Sequence, residues 1–203
     1  MKILAVGCLH GDISKVRRLA DKAEKEKVDL VVLCGDLTLA DSSTENLIGP
    51  FLKKNKKVIF VPGNHDSIDT MYFLKDFYKI SHIHGYSLNI NGIGFFGCGG
   101  APYVGPNLTL SEEEIFSNLK KGHDKIKYLS KKVMVTHAHP KGSIGETLAH
   151  PVIKASKSIR KAIDQFKPNL LLYSHVHEAE GIEEIIGDTK TINVCKEGVI
   201  VNI

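Results

Sequence analysis

Seven residues of this chain are of the types that bind transition ions: Cys8, His10, Asp36, Asn64, His137, His175 and His177, with His65 beside Asn64. Each falls where an apolar, β-rich run stops: ILAVGCLHGD, LVVLCGDL, VIFVPGNHD, VMVTHAH and LLLYSHVH. Sites in α/β proteins assemble at one edge of a sheet, from loops that a rigid scaffold positions. Imidazole, thiolate and carboxylate donors suit manganese, zinc and iron. The amide oxygen of Asn64 adds a neutral ligand, and Asp36 is the natural bridging anion. Two ions about 3.5–4 Å apart can share an activated hydroxide and clamp a phosphoryl group. The expected cofactor is therefore a pair of divalent transition-metal ions (Mn, Zn or Fe). Residues two apart on an extended segment point the same way. Cys8 with His10, and His175 with His177, can then each supply two ligands to one centre.

This ordered set resembles the calcineurin-like metallophosphoesterase family, whose successive strand ends carry D-x-H, GD, GNHD, a lone H and G-H-x-H. The chain offers Cys8 with His10, Gly35-Asp36, Gly63-Asn64-His65-Asp66, His137 and Ser174-His175-Val176-His177, in that order. The resemblance implies an α/β fold: a four-layer αββα sandwich, two mixed β-sheets flanked by helices. It implies one ion held by Cys8, His10, Asp36 and His177, and another by Asp36, Asn64, His137 and His175. His65 would contact the phosphate or protonate the leaving oxygen, and Asp66 would orient His65. The implied activity is metal-dependent hydrolysis of phosphoric esters, of the phosphodiesterase kind. A hydroxide between the ions would be the nucleophile, and a small phosphoester the substrate.

Cys8 stands where the family usually has Asp. A thiolate there favours a softer ion such as zinc or iron and can oxidise, or it leaves that position weak or empty. Ser174 replaces a Gly, a change read as minor. No role is carried onto His139, whose loop is expected to rim the site. His82, His84, His123 and His150 are read as structural. Tyr103, Asn107 and Gly105-Pro106 are candidates for a substrate rim. The competing reading is a catalytically weak or inactive binding scaffold of the same fold, which would have no need of His65. A redox sensor built on Cys8 lacks an obvious resolving partner in the sequence, since Cys34, Cys98 and Cys195 read as buried, inert thiols.

The elements that must position these residues follow from pattern. The chain has 203 residues, 42% of them hydrophobic and 25% charged, which fits one ordinary globular domain over residues 1–203. A net charge of +4 is too small to point to nucleic acid. No apolar run approaches the roughly 18 residues needed to span a membrane, and Met1–Cys8 reads as a first strand, so a cytoplasmic protein is expected. Nothing in the sequence specifies an oligomeric state. Strands are expected at residues 2–8, Val28–Cys34, Val58–Val61, Lys132–Thr136 and Asn169–Ser174. Helices are expected after an Asp12 or Ser14 cap, near residues 43–54, over Asp69–Tyr78 and Glu112–Leu129, and over Val152–Phe166 before Pro168. Asn91-Gly92 marks a hairpin within Ile83–Cys98, and residues 138–150 read as a loop. Three further strands, Gly181–Ile186, Lys190–Cys195 and Gly198–Ile203, close the chain.

Overall fold

A computed structural model describes residues 1–203. Strands β1 (Lys2–Val6), β2 (Leu30–Cys34), β3 (Lys57–Val61), β4 (Ser81–His82) and β11 (Val199–Asn202) form one sheet, ordered β11-β1-β2-β3-β4. The second sheet runs β5-β6-β7-β8-β10-β9, from Ser87–Ile90, Ile93–Cys98, Lys131–Thr136, Leu170–Tyr173, Thr189–Asn193 and Glu183–Ile186 respectively. Both sheets are mixed. β1, β2 and β3 are mutually parallel, as are β6, β7, β8 and β10, while β11, β5 and β9 are antiparallel to their neighbours.

Side-chain alternation builds the layers. In β1, Leu4 and Val6 pack on helices α1 (Ile13–Lys25), α2 (Gly49–Lys53) and α3 (Ile68–Tyr78), through Val16, Leu19, Phe51, Met71 and Leu74. Ile3 and Ala5 point the other way and join Val32, Val61, Phe95, Val135 and Leu172 between the two sheets. On the far side, Phe96, Met134, Leu171 and Tyr173 pack against α4 (Glu112–Ile126) and α6 (Lys157–Phe166). Three apolar layers thus separate four structural ones, the expected αββα sandwich. A fully buried phenylalanine such as Phe95, with no exposed surface, contributes about 3–5 kcal/mol when judged by truncation to alanine. Close packing also explains the glycines of β6. A Cβ on Gly97 would sit 2.3 Å from the Val135 carbonyl oxygen and 3.1 Å from a Val61 methyl of the facing sheet.

Caps decide where several helices begin. Asp12 accepts from the Lys15 N–H and starts α1. Ser111 and Glu114 form a reciprocal capping box on α4. Two helices are shorter than their apolar periodicity predicts. Only Gly49–Lys53 is helical within residues 43–54, because Pro50 sits in the first turn and residues before it lie in turns. α6 begins at Lys157 rather than Val152, because Ser156 caps it and the Glu112 carboxylate accepts from the Lys157 and Ser158 N–H groups. The loop expected over 138–150 contains a further short helix, α5 (Ile144–Leu148), capped by Ser143. No helix is long and apolar enough to cross a membrane.

Candidate metal centre

Parallel neighbours share a direction, so the carboxyl ends of β1, β2 and β3 in one sheet and of β7, β8 and β10 in the other all reach one edge. There the sheets touch. Gly7 and Cys195 form a parallel bridge, with the Gly7 N–H on the Val194 carbonyl at 2.9 Å and the Lys196 N–H on the Gly7 carbonyl at 2.9 Å. The loops continue the pairing past the strands: the Cys8 N–H reaches the Gly35 carbonyl and the His10 N–H the Asp36 carbonyl, both at 2.9 Å.

The sharp turns that follow put side chains where an extended chain could not. Cys8, His10, Asp36 and His175 have φ of 55°, 47°, 51° and 74°. Left-handed backbone costs a non-glycine residue roughly 1–2 kcal/mol and persists where the surroundings over-determine it, which is typical of functional sites. These turns, and not an extended backbone, bring Cys8 and His10 to one group as expected, and they overturn the expected pairing of His175 with His177. β8 ends at Tyr173, and His177 opens a single 3-10 turn over His177–Ala179. His175 and His177 consequently face different partners.

Asp36 is the hub. Its Oδ2 lies 3.6 Å from His10 Nε2 and 3.3 Å from His137 Nε2, and its Oδ1 accepts the His65 N–H at 2.9 Å. Around His137 Nε2 stand Asn64 Oδ1 at 2.8 Å and His175 Nδ1 at 3.1 Å. The Nδ1 of the same ring lies 2.9 Å from the Cys34 carbonyl, which orients the imidazole and leaves Nε2 for the cluster. Asp36, His137 and His175 present donor atoms within 4.8 Å of one another, and so do Cys8, His10 and Asp36. His177 joins through Cys8, and its ring lies 5.5 Å from that of His10. The seven candidate ligands are therefore neighbours: Asp36 belongs to both the Cys8–His10 and the His137–His175 groups, Asn64 meets His137, and His177 meets Cys8.

The donor chemistry fits cations. Asn64 Oδ1, Asp36 Oδ2 and His175 Nδ1 direct lone pairs at the point that His137 Nε2 also faces. Burial alone would lower the His137 pKa, but Asp36 overrides it and lifts the value to about 9. Burial would likewise raise the Asp36 pKa, yet His137, the His65 N–H and His10 hold it well below the carboxylate range. Burial pushes His175 down to about 3, with His137 adding to the effect. For Cys8, burial opposes ionisation, and contacts with Cys195, His10 and His177 prevail, holding the thiol well below its ordinary value.

His65 is half-buried beside the first group, its ring 4.9 Å from that of His10. Its carbonyl accepts from the Thr38 hydroxyl at 3.1 Å and the Asn107 amide at 2.9 Å. The implied role of Asp66, orienting the His65 ring, is not what its contacts show. The buried Asp66 carboxylate accepts instead from the N–H groups of Gly63, Leu37 and Thr38 and from the Thr38 hydroxyl, at 2.8–3.1 Å. Asp66 pins the Asp36 and Asn64 loops to each other and acts on His65 only through them. The approach is so close that a Cβ on Gly63 would lie 2.1 Å from the Asp36 nitrogen.

Other readings are refined. Asn107 does reach the site, through His65 and through its own N–H on the Asn64 carbonyl at 3.1 Å, while Tyr103 is exposed. His139 is fully buried rather than on the rim, its ring 6.3 Å from that of His175. His82 and His123 pack against aromatic rings, as structural histidines do. Ser174 is more than a neutral replacement: its hydroxyl meets the Cys34 carbonyl and lies 3.0 Å from His137 Nδ1. Cys195 is the residue that pattern reading passed over; its Sγ stands 3.5 Å from that of Cys8. The only signal for it was its position at a strand end. A surface concavity of about 550 Å³ between α3 and α4 is lined by none of these donors.

The model of the calcineurin-like phosphoesterase family matches residues 1–179. The chain belongs to this family. No curated protein matches it. Among solved structures it is similar to a Thermus thermophilus protein, TT1561, with TM-score 0.78, 17% identity, and coverage of 97% of this chain and 89% of that one. It is similar to an archaeal phosphodiesterase at TM-score 0.57 and 20% identity, covering 97% and 84% of the two chains. A dimetal phosphatase from Danio rerio matches at TM-score 0.62 and 10% identity, covering 95% and 86%. These likenesses establish the fold: two mixed sheets flanked by helices.

Two expectations follow from the packing of the centre. Asp66→Ala strips a buried acceptor from three backbone N–H groups and should cost about 3–5 kcal/mol in urea unfolding; a loss below about 1 kcal/mol would remove Asp66 from this role. His139 and His175 are held neutral by burial, with pKa near 4 and near 3. Because their folded values lie below the unfolded one, the stability they contribute is complete above about pH 6.5 and is lost as pH falls toward 4. In chelator-treated protein, melting temperature should therefore fall over that window, and His139→Phe should flatten the decline; an unchanged slope in the variant contradicts the assignment.

Proposed function

We propose that this protein is a dinuclear metal-dependent phosphodiesterase, with Cys8, His10, Asp36 and His177 holding one divalent ion and Asp36, Asn64, His137 and His175 the other. The observation that carries the reading is the Asp36 Oδ2 atom, which faces His10 on one side and His137 on the other and so joins two donor groups through one oxygen. When bound, the ions supply an activated water and positive charge for the nonbridging oxygens of a phosphoryl group. Donors drawn from both sheets make the chain act as one domain, since neither sheet contains a complete site.

The chain's own residues do the rest. Asp36 sets the spacing of the two groups and is neutralised by them. His65, half-buried beside His10 and tethered only through its backbone, donates a proton to the leaving oxygen or a hydrogen bond to the phosphoryl group. Its Nδ1 has no partner within the protein. Asn107 and Thr38 hold the loop that carries His65, and Asp66 holds the turn beneath it. A binding scaffold has no use for an imidazole held beside the donor groups with an unpartnered ring nitrogen. A small phosphodiester is the substrate class that fits.

Metal analysis combined with a generic aryl phosphodiester assay tests the proposal. The purified protein should carry about two transition ions per chain and turn the ester over when manganese is supplied. His65→Ala should lower turnover by about 100-fold or more while metal content holds. A metal-free protein that stays inactive with every divalent ion would make the scaffold reading correct.

A further inference from the structure

We propose that Cys195 is an additional ligand of the first ion, giving that position two thiolates and thereby a preference for zinc or ferrous iron over manganese or magnesium. The inference rests on the dinuclear reading above and adds a donor to it from the last quarter of the chain.

Four observations carry it. Cys195 Sγ lies 3.5 Å from Cys8 Sγ, and those two atoms and a His177 ring nitrogen all lie within 4.8 Å of one another. Both cysteines are buried, at 2% and 1% exposure, on the one edge where the two sheets meet. Both thiols are free. The backbone at Cys195 is also clamped: its N–H reaches Asn193 Oδ1 at 2.9 Å, and the Asn193 amide donates to the Val176 carbonyl at 2.8 Å. One buried side chain thus fixes both Cys195 and the turn between His175 and His177.

The sulfur separation suits a shared ion. Zinc–sulfur bonds near 2.3 Å with tetrahedral angles put two thiolate ligands about 3.8 Å apart. A disulfide would need about 2.05 Å. Cys8, Cys195 and His177 then make a sulfur-rich donor cluster of the kind that holds zinc tightly, and Cys8 joins it to His10 and the shared Asp36. The second group, Asp36, Asn64, His137 and His175, contains no sulfur and accepts harder ions such as manganese. The two positions of one centre would therefore differ in metal: a resident soft ion beside an exchangeable one. A softer first position also explains how Cys replaces Asp there without leaving it empty.

Cobalt(II) reports thiolate ligation by near-ultraviolet sulfur-to-metal charge transfer, whose intensity scales with the number of bound thiolates. The full-length protein, reduced and loaded with one equivalent of cobalt, should show this band. Cys195→Ser should retain cobalt and show roughly half the intensity, and Cys8→Ser with Cys195→Ser should show none. Full intensity in the cobalt-loaded Cys195→Ser variant overturns the role of Cys195 and leaves the dinuclear reading standing. Wild-type protein that binds no cobalt overturns both. X-ray absorption on the wild-type protein carrying one equivalent of zinc requires no variant to fold: two sulfur neighbours per zinc support the assignment, and one or none overturns it.

Discussion

A carboxylate buried as deeply as Asp36 must be paired, and the architecture around it can be read as the answer to that requirement. Its exposure is 2%, and burial alone would drive it toward the neutral form. Imidazoles on two sides and a backbone N–H on a third keep it charged. With His137 oriented by the Cys34 carbonyl and Asn64 and His175 adding lone pairs, the cluster has more acceptors than donors. Positive charge at its centre suits such a cluster. Every neighbouring feature serves to hold this arrangement still.

The holding is done largely by backbone. Four of the seven proposed ligands follow or occupy left-handed turns, and such turns are retained only where packing over-determines them. Here the means are visible. Gly63 lets the Asn64 loop press against Asp36, and Asp66 binds three N–H groups drawn from both loops. Behind the turns, three apolar layers fix the strands whose ends carry them. The site is thus positioned by a rigid sandwich and aimed by strained, cross-braced loops, while His65 keeps an unpartnered ring nitrogen.

The departures from the family pattern touch both donor groups: Cys8 lies in the first, and Ser174 meets His137 of the second. Cys8 replaces an acidic residue, Ser174 replaces a glycine, and Cys195 approaches from the opposite sheet. Ser174 packs into the space next to Gly7, where a Cβ would lie 2.5 Å from its hydroxyl. The group around Asn64, His137 and His175 keeps the oxygen and nitrogen donors that the family pattern has.

Much of this was determined by the sequence alone. Runs of β-rich apolar residues ending in Cys8, Asp36, Asn64, His137 and His175 set the order of strands and the identity of the donors. Continuous apolar runs in β1, β2 and β3 implied that both of their faces are covered, while which residues face the helices and which the second sheet was decided by packing. Local signals find the strands well because propensity acts within a few residues. Left-handed turns at non-glycine residues have no such signal, so the extended-pair reading of His175 and His177 failed. The contacts of Asp66 with Leu37 and Thr38, of Ser174 with His137, and of Cys195 with Cys8 span 28 to 187 positions along the chain. Only the meeting of two sheets at one edge brings such pairs together, and that meeting is decided by tertiary packing, which no short stretch of sequence encodes.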